Sequence, residues 1–100
     1  MGRFIVRLAD LMFVVWSDTV DAPVSHVMER TAMIEHLVVT GGIGYLEALT
    51  LVDTAERDGV SDPTVKLAQV IAANRAGVAE EFLSIEEIIE ASSVRPTPPA

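Results

Sequence analysis

Two histidines, His26 and His36, are the side chains of this chain best suited to metal binding or acid–base chemistry. Glu29 and Glu35 lie close to them in the sequence, and all four side chains are of types that bind zinc. The histidines are ten residues apart, whereas two ligands on one helix face need a spacing of about four. Ser25 precedes His26, but neighbouring strand residues point to opposite faces, which prevents a nucleophile–base pair. We therefore predict no catalytic residue, no metal and no cofactor.

A glycine-rich turn follows an apolar run in residues 37–47, which read Leu-Val-Val-Thr-Gly-Gly-Ile-Gly-Tyr-Leu-Glu. The run and the glycines Gly41, Gly42 and Gly44 resemble the dinucleotide-binding turn of the extended short-chain dehydrogenases. That resemblance covers about ten residues and implies a strand, a turn around a pyrophosphate and a helix. Glu47 stands where those proteins have a third glycine, and its carboxylate would repel a pyrophosphate. We expect no parallel strand with an acidic residue about 20 residues further on. We therefore interpret the segment as a connection between two helices.

The charge balance is acidic, with seven Lys or Arg against fifteen Asp or Glu and a formal net charge of −8. Such a chain lacks the basic patch that neutralises phosphates, so we expect no direct nucleic-acid binding. The sequence contains no cysteine, which excludes disulfides and thiolate zinc sites and fits a reducing compartment. The longest apolar stretch, Phe4 to Trp16, has about 13 residues and contains Arg7 and Asp10, whereas a membrane span needs roughly 20. We expect a cytoplasmic protein with no membrane segment.

The first third of the chain is predicted to form strands, although Phe4, Leu8, Leu11 and Val15 also have helical spacing. Every second side chain in residues 3–8 is apolar, and residues 11–16 are rich in β-branched and aromatic side chains. Ser17–Pro23 is predicted to be a polar loop. Val24–Met28 is predicted to be a third short strand that places His26 on a partly buried face.

The middle of the chain is predicted to form two helices. The apolar spacing favours a first helix over residues 30–40, which stops at Gly41–Gly42. It favours a second helix over residues 44–58, with Tyr45 among its inward residues and Gly59 just after its end. Glycine suits both ends because it tolerates a left-handed backbone conformation.

Two further helices are predicted after residue 60. An aspartate–proline pair is a typical helix start, so a third helix is predicted over residues 62–76. Asn74 lies on its inward side and is expected to bond to backbone. Ser84 and Glu87 have the spacing of a capping box, which predicts a fourth helix over residues 85–92.

We therefore predict a small single α+β domain over residues 1–92, with two or three N-terminal antiparallel strands followed by about four helices. Met12 is an alternative start, and residues 1–11 would then be an extension. Residues 93–100 contain three prolines and are predicted to be a disordered tail. The apolar side chains of the strands exceed what one buried sheet face can hide. Either helices cover both faces, or another chain does.

We expect a non-enzymatic protein-binding or regulatory protein, such as a small acidic inhibitor or accessory factor. The single tryptophan is a candidate anchor, since tryptophan is enriched in interface hot spots, with a core role as the alternative. Acidic side chains would meet a basic partner, in one version by imitating nucleic acid. The candidate partner-binding residues are Trp16, Asp18, Asp21, Glu86, Glu87 and Glu90. One alternative is an assembly subunit that acts through homo-oligomerisation, for example as a homodimer. A second is a nucleotide or small-molecule binder through Gly41-Gly42-Ile43-Gly44.

Overall fold

A three-stranded sheet precedes four α-helices in the computed structural model, which describes residues 3–93. The elements are β1 (Arg3–Ala9), β2 (Met12–Ser17), β3 (Ala22–Pro23), α1 (Arg30–Val39), α2 (Tyr45–Asp58), α3 (Leu67–Ala72) and α4 (Ile85–Ser93), with a 3₁₀ turn at Val78–Glu80. This arrangement confirms the predicted α+β fold class. Residues 94–100 of the predicted tail lie outside the described residues.

The sheet is antiparallel, with the strand order β1-β2-β3, and backbone from elsewhere in the chain covers its outer edges. Beyond β1, the Arg7 amide donates to the Gly59 carbonyl at 2.8 Å. Beyond β2, Phe13 and Met28 exchange two backbone hydrogen bonds of 2.8 Å. Covered edges prevent the strands from pairing with another chain.

The third strand lies earlier than predicted. It is Ala22–Pro23, inside the segment predicted as a loop, whereas Val24–Met28 forms no continuous strand. The reason is a side chain that replaces a backbone partner: the Ser25 hydroxyl accepts from the Val15 amide at 2.9 Å and donates to the His26 carbonyl at 3.0 Å. His26 is exposed, so its predicted position on a half-buried strand face is wrong.

Helices cover both faces of the sheet, and this accounts for the apolar excess of its strands. The core cluster between one sheet face and the helices α1 and α2 consists of Ile5, Phe13, Val15, Met28, Met33, Ile34, Leu37, Ala48, Val52 and Ala55. The core cluster between the other sheet face and the helices α3 and α4 consists of Phe4, Val6, Leu8, Val14, Trp16, Val60, Val70 and Ile88. Because successive strand residues point to opposite faces, the unbroken apolar run of β2 supplies both clusters.

The helices agree with the predictions except for α3, which spans Leu67–Ala72 and not residues 62–76. The Asp62 carboxylate accepts hydrogen bonds from the amide of Thr64 at 2.9 Å and from its hydroxyl at 2.7 Å. These bonds close a turn in place of a helix start. α2 ends as predicted at Gly59, with φ +88°. Within residues 3–93, each helix is too short or too polar to cross a lipid bilayer.

Candidate functional site

Trp16 lies in the core. Its side chain is 2% exposed and belongs to the same cluster as Ile88 of α4. A buried indole contributes a large apolar area to packing. In the isolated chain Trp16 therefore supports the packing of α4 on the sheet and presents no surface to a partner.

Asp21 fixes the acidic turn after β2 to the rest of the fold. Its backbone has φ +53°, and its carbonyl accepts from the Arg75 amide at 2.8 Å. Its carboxylate pairs with the Arg75 guanidinium at 3.3 Å, and Arg75 also pairs with Glu80 at 2.8 Å. Asp18 is exposed in the same turn. Asp21 thus has a structural role within the chain.

The capping box predicted at the start of α4 is present. The Ser84 amide donates to the Glu87 carboxylate at 2.9 Å, and the Glu87 amide donates to the Ser84 hydroxyl at 3.2 Å. Glu87 is therefore engaged in capping. Glu86 and Glu90 are exposed, whereas Ile88 faces the core. A contact between these exposed carboxylates and a basic partner stays a prediction.

The glycine-rich turn joins α1 to α2, as interpreted from the sequence. Gly42 has φ +68°, a conformation that costs other residues energy. A Cβ at Gly41 would lie 2.7 Å from the Leu37 carbonyl oxygen. Gly44 has an extended backbone with open space around it, and Glu47 is exposed. The helix connection accounts for Gly41 and Gly42 without a bound phosphate.

The two histidines line one cleft of about 500 Å³, a proximity that their spacing did not predict. The Ala22–His26 segment, His36 of α1 and the end of α4 form its walls. The Ser25 hydroxyl beside it is occupied by the backbone bonds described above. Among residues 3–93, no group of three His, Cys, Asp or Glu side chains is placed to hold a metal ion.

A groove of about 510 Å³ separates the outer sides of α1 and α2. Its apolar lining consists of Ile34, Val38, Val39, Tyr45 and Leu49. Val39, Tyr45 and the neighbouring Leu46 are 76%, 61% and 75% exposed. The predicted inward position of Tyr45 is wrong, because the buried stripe of α2 begins only at Ala48. The sequence signal for this surface is that Val39 and Leu46 are apolar yet fall outside the helical stripes.

An ion-pair cluster lies at the other end of this groove. Arg30, at the start of α1, pairs with Asp53 and, at 3.1 Å, with Glu56 of α2. The hydrogen bond to Asp53 is the largest cause that raises the pKa of Arg30 above its ordinary value. All three groups are well exposed, so the pairs contribute little to stability. Arg30 and Glu35 line the groove, and Asp53 and Glu56 lie at its end through their pairs with Arg30.

Comparison of the chain with family models, with curated proteins and with solved structures gave no match in any of the three cases. Function is therefore inferred from the surfaces of this chain. Two of its polar side chains, Ser25 and Asn74, are engaged with backbone groups. The α1–α2 groove combines an exposed apolar patch with a defined concave shape.

Proposed function

We propose that this chain is a non-enzymatic protein-binding or regulatory protein that docks a helix of its partner in the α1–α2 groove. The observation that carries the proposal is the exposure of Val39, Tyr45 and Leu46, at 76%, 61% and 75%. Five other large apolar side chains are also exposed, namely Leu11, Met12, Val20, Val24 and Phe82, but none of these five lines the groove. An exposed apolar patch beside a groove is typical of an interaction site. An apolar groove between two helices suits the apolar stripe of an amphipathic helix.

The charges around the groove favour a basic partner helix. Glu35 lines the groove, and Asp53 and Glu56 pair with Arg30 at its end, so three carboxylates lie near a single guanidinium. The whole chain carries −8, which attracts a cationic segment and repels an anionic one. We therefore infer a helix with Lys or Arg beside its apolar stripe, and an association rate that falls as salt rises.

Leu46→Asp tests the proposal, with Leu11→Asp as the matched control. Leu11 is also exposed, at 58%, but lies in the turn between β1 and β2. Burial of an exposed leucine contributes about 2 kcal/mol, so loss of that contact should weaken binding at least tenfold. Proteins recovered from the native host by each variant would be identified by mass spectrometry. A helical peptide from the partner would then be titrated by calorimetry.

The expected result is a partner that wild type and Leu11→Asp retain and Leu46→Asp loses, with a basic amphipathic helix as the bound segment. Equal retention by Leu46→Asp would contradict the proposal, as would a bound segment that is acidic or extended. Circular dichroism of each variant confirms that the fold is unchanged. A peptide affinity that does not change with salt would contradict the preference for a basic helix, but not the docking of a helix in the groove.

Homo-oligomerisation is the alternative with less support. It rested on an apolar excess in residues 3–16, and those side chains mostly pack inside the chain. A homodimer would have to use the α1–α2 groove or another exposed site. Sedimentation velocity distinguishes the two: a dimer that Leu46→Asp dissociates would make the occupant a second copy. The cytoplasmic location remains part of this proposal and rests on the absence of cysteine.

A further inference from the structure

We infer that a cavity between the sheet and the α1–α2 pair binds a small monocarboxylate with an apolar body. The cavity has a volume of about 410 Å³, within the range of roughly 300–1,000 Å³ that is typical of small-molecule sites. Its apolar lining consists of Phe4, Ile5, Val15, Leu37, Ile43 and Leu51. This site is separate from the proposed protein-binding groove, and none of its lining residues lines that groove.

Arg3 gives the cavity its charge. It is the one Arg or Lys among the described residues that line the cavity, and none of them is acidic. Arg30, Arg57 and Arg75 each pair with a carboxylate, whereas Arg3 has no ion pair within residues 3–93. A guanidinium without a carboxylate partner can bind an incoming carboxylate through two parallel hydrogen bonds. In a chain of net charge −8, such a cavity selects an anion.

Ser61 adds a buried hydrogen-bond donor beside Arg3. The Ser61 side chain is 8% exposed, and its hydroxyl oxygen accepts from the Ile5 amide at 2.8 Å. Its own proton has no acceptor among the described residues, so it can donate to a ligand oxygen. Arg3 and Ile5 are two residues apart on β1 and therefore share a sheet face. Arg3 and Ser61, which bonds to Ile5, both line the cavity on the side of β1.

The dimensions and charge favour a monoanion over a nucleotide. A dinucleotide carries two phosphates, whereas one permanent cation lines the cavity. The glycine-rich turn contributes Gly41 and Ile43 to the cavity wall. The glycine at position 41 does not need a phosphate close to its backbone to explain it. Glycine is required at position 41 because a Cβ there would lie only 2.7 Å from the Leu37 carbonyl oxygen. An aliphatic or aromatic carboxylate matches both the charge and the apolar walls.

Decanoate, kept below its micelle concentration, is the probe, and decanol is the uncharged control. Both would be titrated into the full chain and followed by backbone amide shifts in NMR spectra. Decanoate is expected to shift the amides of Ile5, Leu37 and Ile43 and to bind about tenfold more tightly than decanol, because a charged hydrogen bond adds to the apolar contact. Arg3→Gln should remove that tenfold preference and leave decanol binding unchanged.

Leu51→Trp, which fills the cavity, should abolish binding of both probes, whereas Leu46→Trp on the exposed side of α2 should not. Arg3→Gln keeps the test decisive if Leu51→Trp fails to fold, because Arg3 is exposed. Equal affinities for decanoate and decanol would overturn the inference. So would unchanged decanoate binding in Arg3→Gln, no binding of decanoate at millimolar concentration, or amide shifts centred on Val39 and Tyr45. Leu46→Asp should leave decanoate binding intact. Loss of the carboxylate site and loss of the protein-binding groove can therefore be observed separately.

Discussion

Asn74 is the buried polar side chain on which the segment between α3 and α4 depends. It is 3% exposed. Its amide nitrogen donates to the Ile71 carbonyl at 2.6 Å and to the Leu83 carbonyl at 2.8 Å. Its oxygen accepts from the Leu83 amide at 3.0 Å and from the Ala76 amide at 3.3 Å. One side chain thus satisfies backbone groups at the end of α3 and at the approach to α4.

Asn74→Ala should lower the free energy of unfolding by about 3 kcal/mol. Four hydrogen bonds with a net value of about 1 kcal/mol each give an upper limit near 4 kcal/mol, and the 3.3 Å bond contributes least. The lost side chain also leaves partly buried backbone groups of Leu83 without these partners. In a domain of this size, a loss of about 3 kcal/mol lowers the melting temperature by roughly 12–24 °C.

Asn74→Asp separates the hydrogen bonds from the packing, because the two side chains have nearly the same shape. An ionised aspartate cannot donate, so its oxygen would face the Ile71 and Leu83 carbonyl oxygens and repel them. This environment should raise the pKa of the new carboxyl above its unfolded value of about 3.9. The folded state then holds its proton to higher pH than the unfolded state. The variant should therefore be closest to wild type below about pH 4 and lose stability as pH rises through its folded pKa.

Urea denaturation of wild type, Asn74→Ala and Asn74→Asp from about pH 4 to about pH 8 tests the reasoning, with each variant compared with wild type at the same pH. Asn74→Asp should be at least as unstable as Asn74→Ala near neutral pH. An Asn74→Asp variant as stable as wild type at neutral pH would refute the donor role of Asn74. A deficit that does not change with pH would refute the electrostatic part of the reasoning.

Two further predictions concern turns. The side-chain hydrogen bond from Thr64, and then its backbone hydrogen bond, hold the pKa of the Asp62 carboxyl below its usual range. Thr64→Val should raise that pKa in a carbon-detected NMR titration. The stabilisation from this carboxylate is present above its unfolded pKa and is lost as pH falls through the folded one, and an unmoved pKa would contradict the assignment. Gly42→Ala should destabilise by about 1 kcal/mol because of its left-handed backbone, whereas Gly44→Ala should be neutral in its open, extended position. Equal losses in thermal denaturation would show that Gly44 has a role beyond the helix connection.

The features that could be predicted from the sequence are those that depend on neighbouring residues. The capping box of Ser84 and Glu87 needs a spacing of three residues and a helix start, and both were visible. Gly42 and Gly59 mark helix ends because a left-handed backbone is a local requirement. The predicted bonds of Asn74 to backbone are present, although its predicted place within the third helix is wrong because α3 ends at Ala72. These features gave the order and type of the elements.

The features that could not be predicted depend on which groups meet across the fold. Ser25 could have continued a strand, but its hydroxyl accepts from Val15, ten residues earlier. Asp62 has the residue type of a helix cap, yet it closes a turn with Thr64. The many apolar side chains of β1 and β2 indicated that both faces of the sheet are covered. They did not indicate whether helices of this chain or another chain cover them. Sequence periodicity assigns a side chain to a face, and the packing of other elements decides what lies on that face.

The α1–α2 pair gives the two proposed sites a common origin and separate chemistry. Its outer side forms the groove, with Val39 and Tyr45 exposed at either side of the connecting turn. Its inner side closes the cavity over β1 and β2, with Leu37 and Leu51 in the wall. Residues three or four apart share a helix face, so each helix can supply different residues to the two sides. The groove has three carboxylates near its one guanidinium at the Arg30 end, and the cavity has Arg3 without an acidic lining residue. We therefore propose a cationic helix for the outer site and a carboxylate for the inner one.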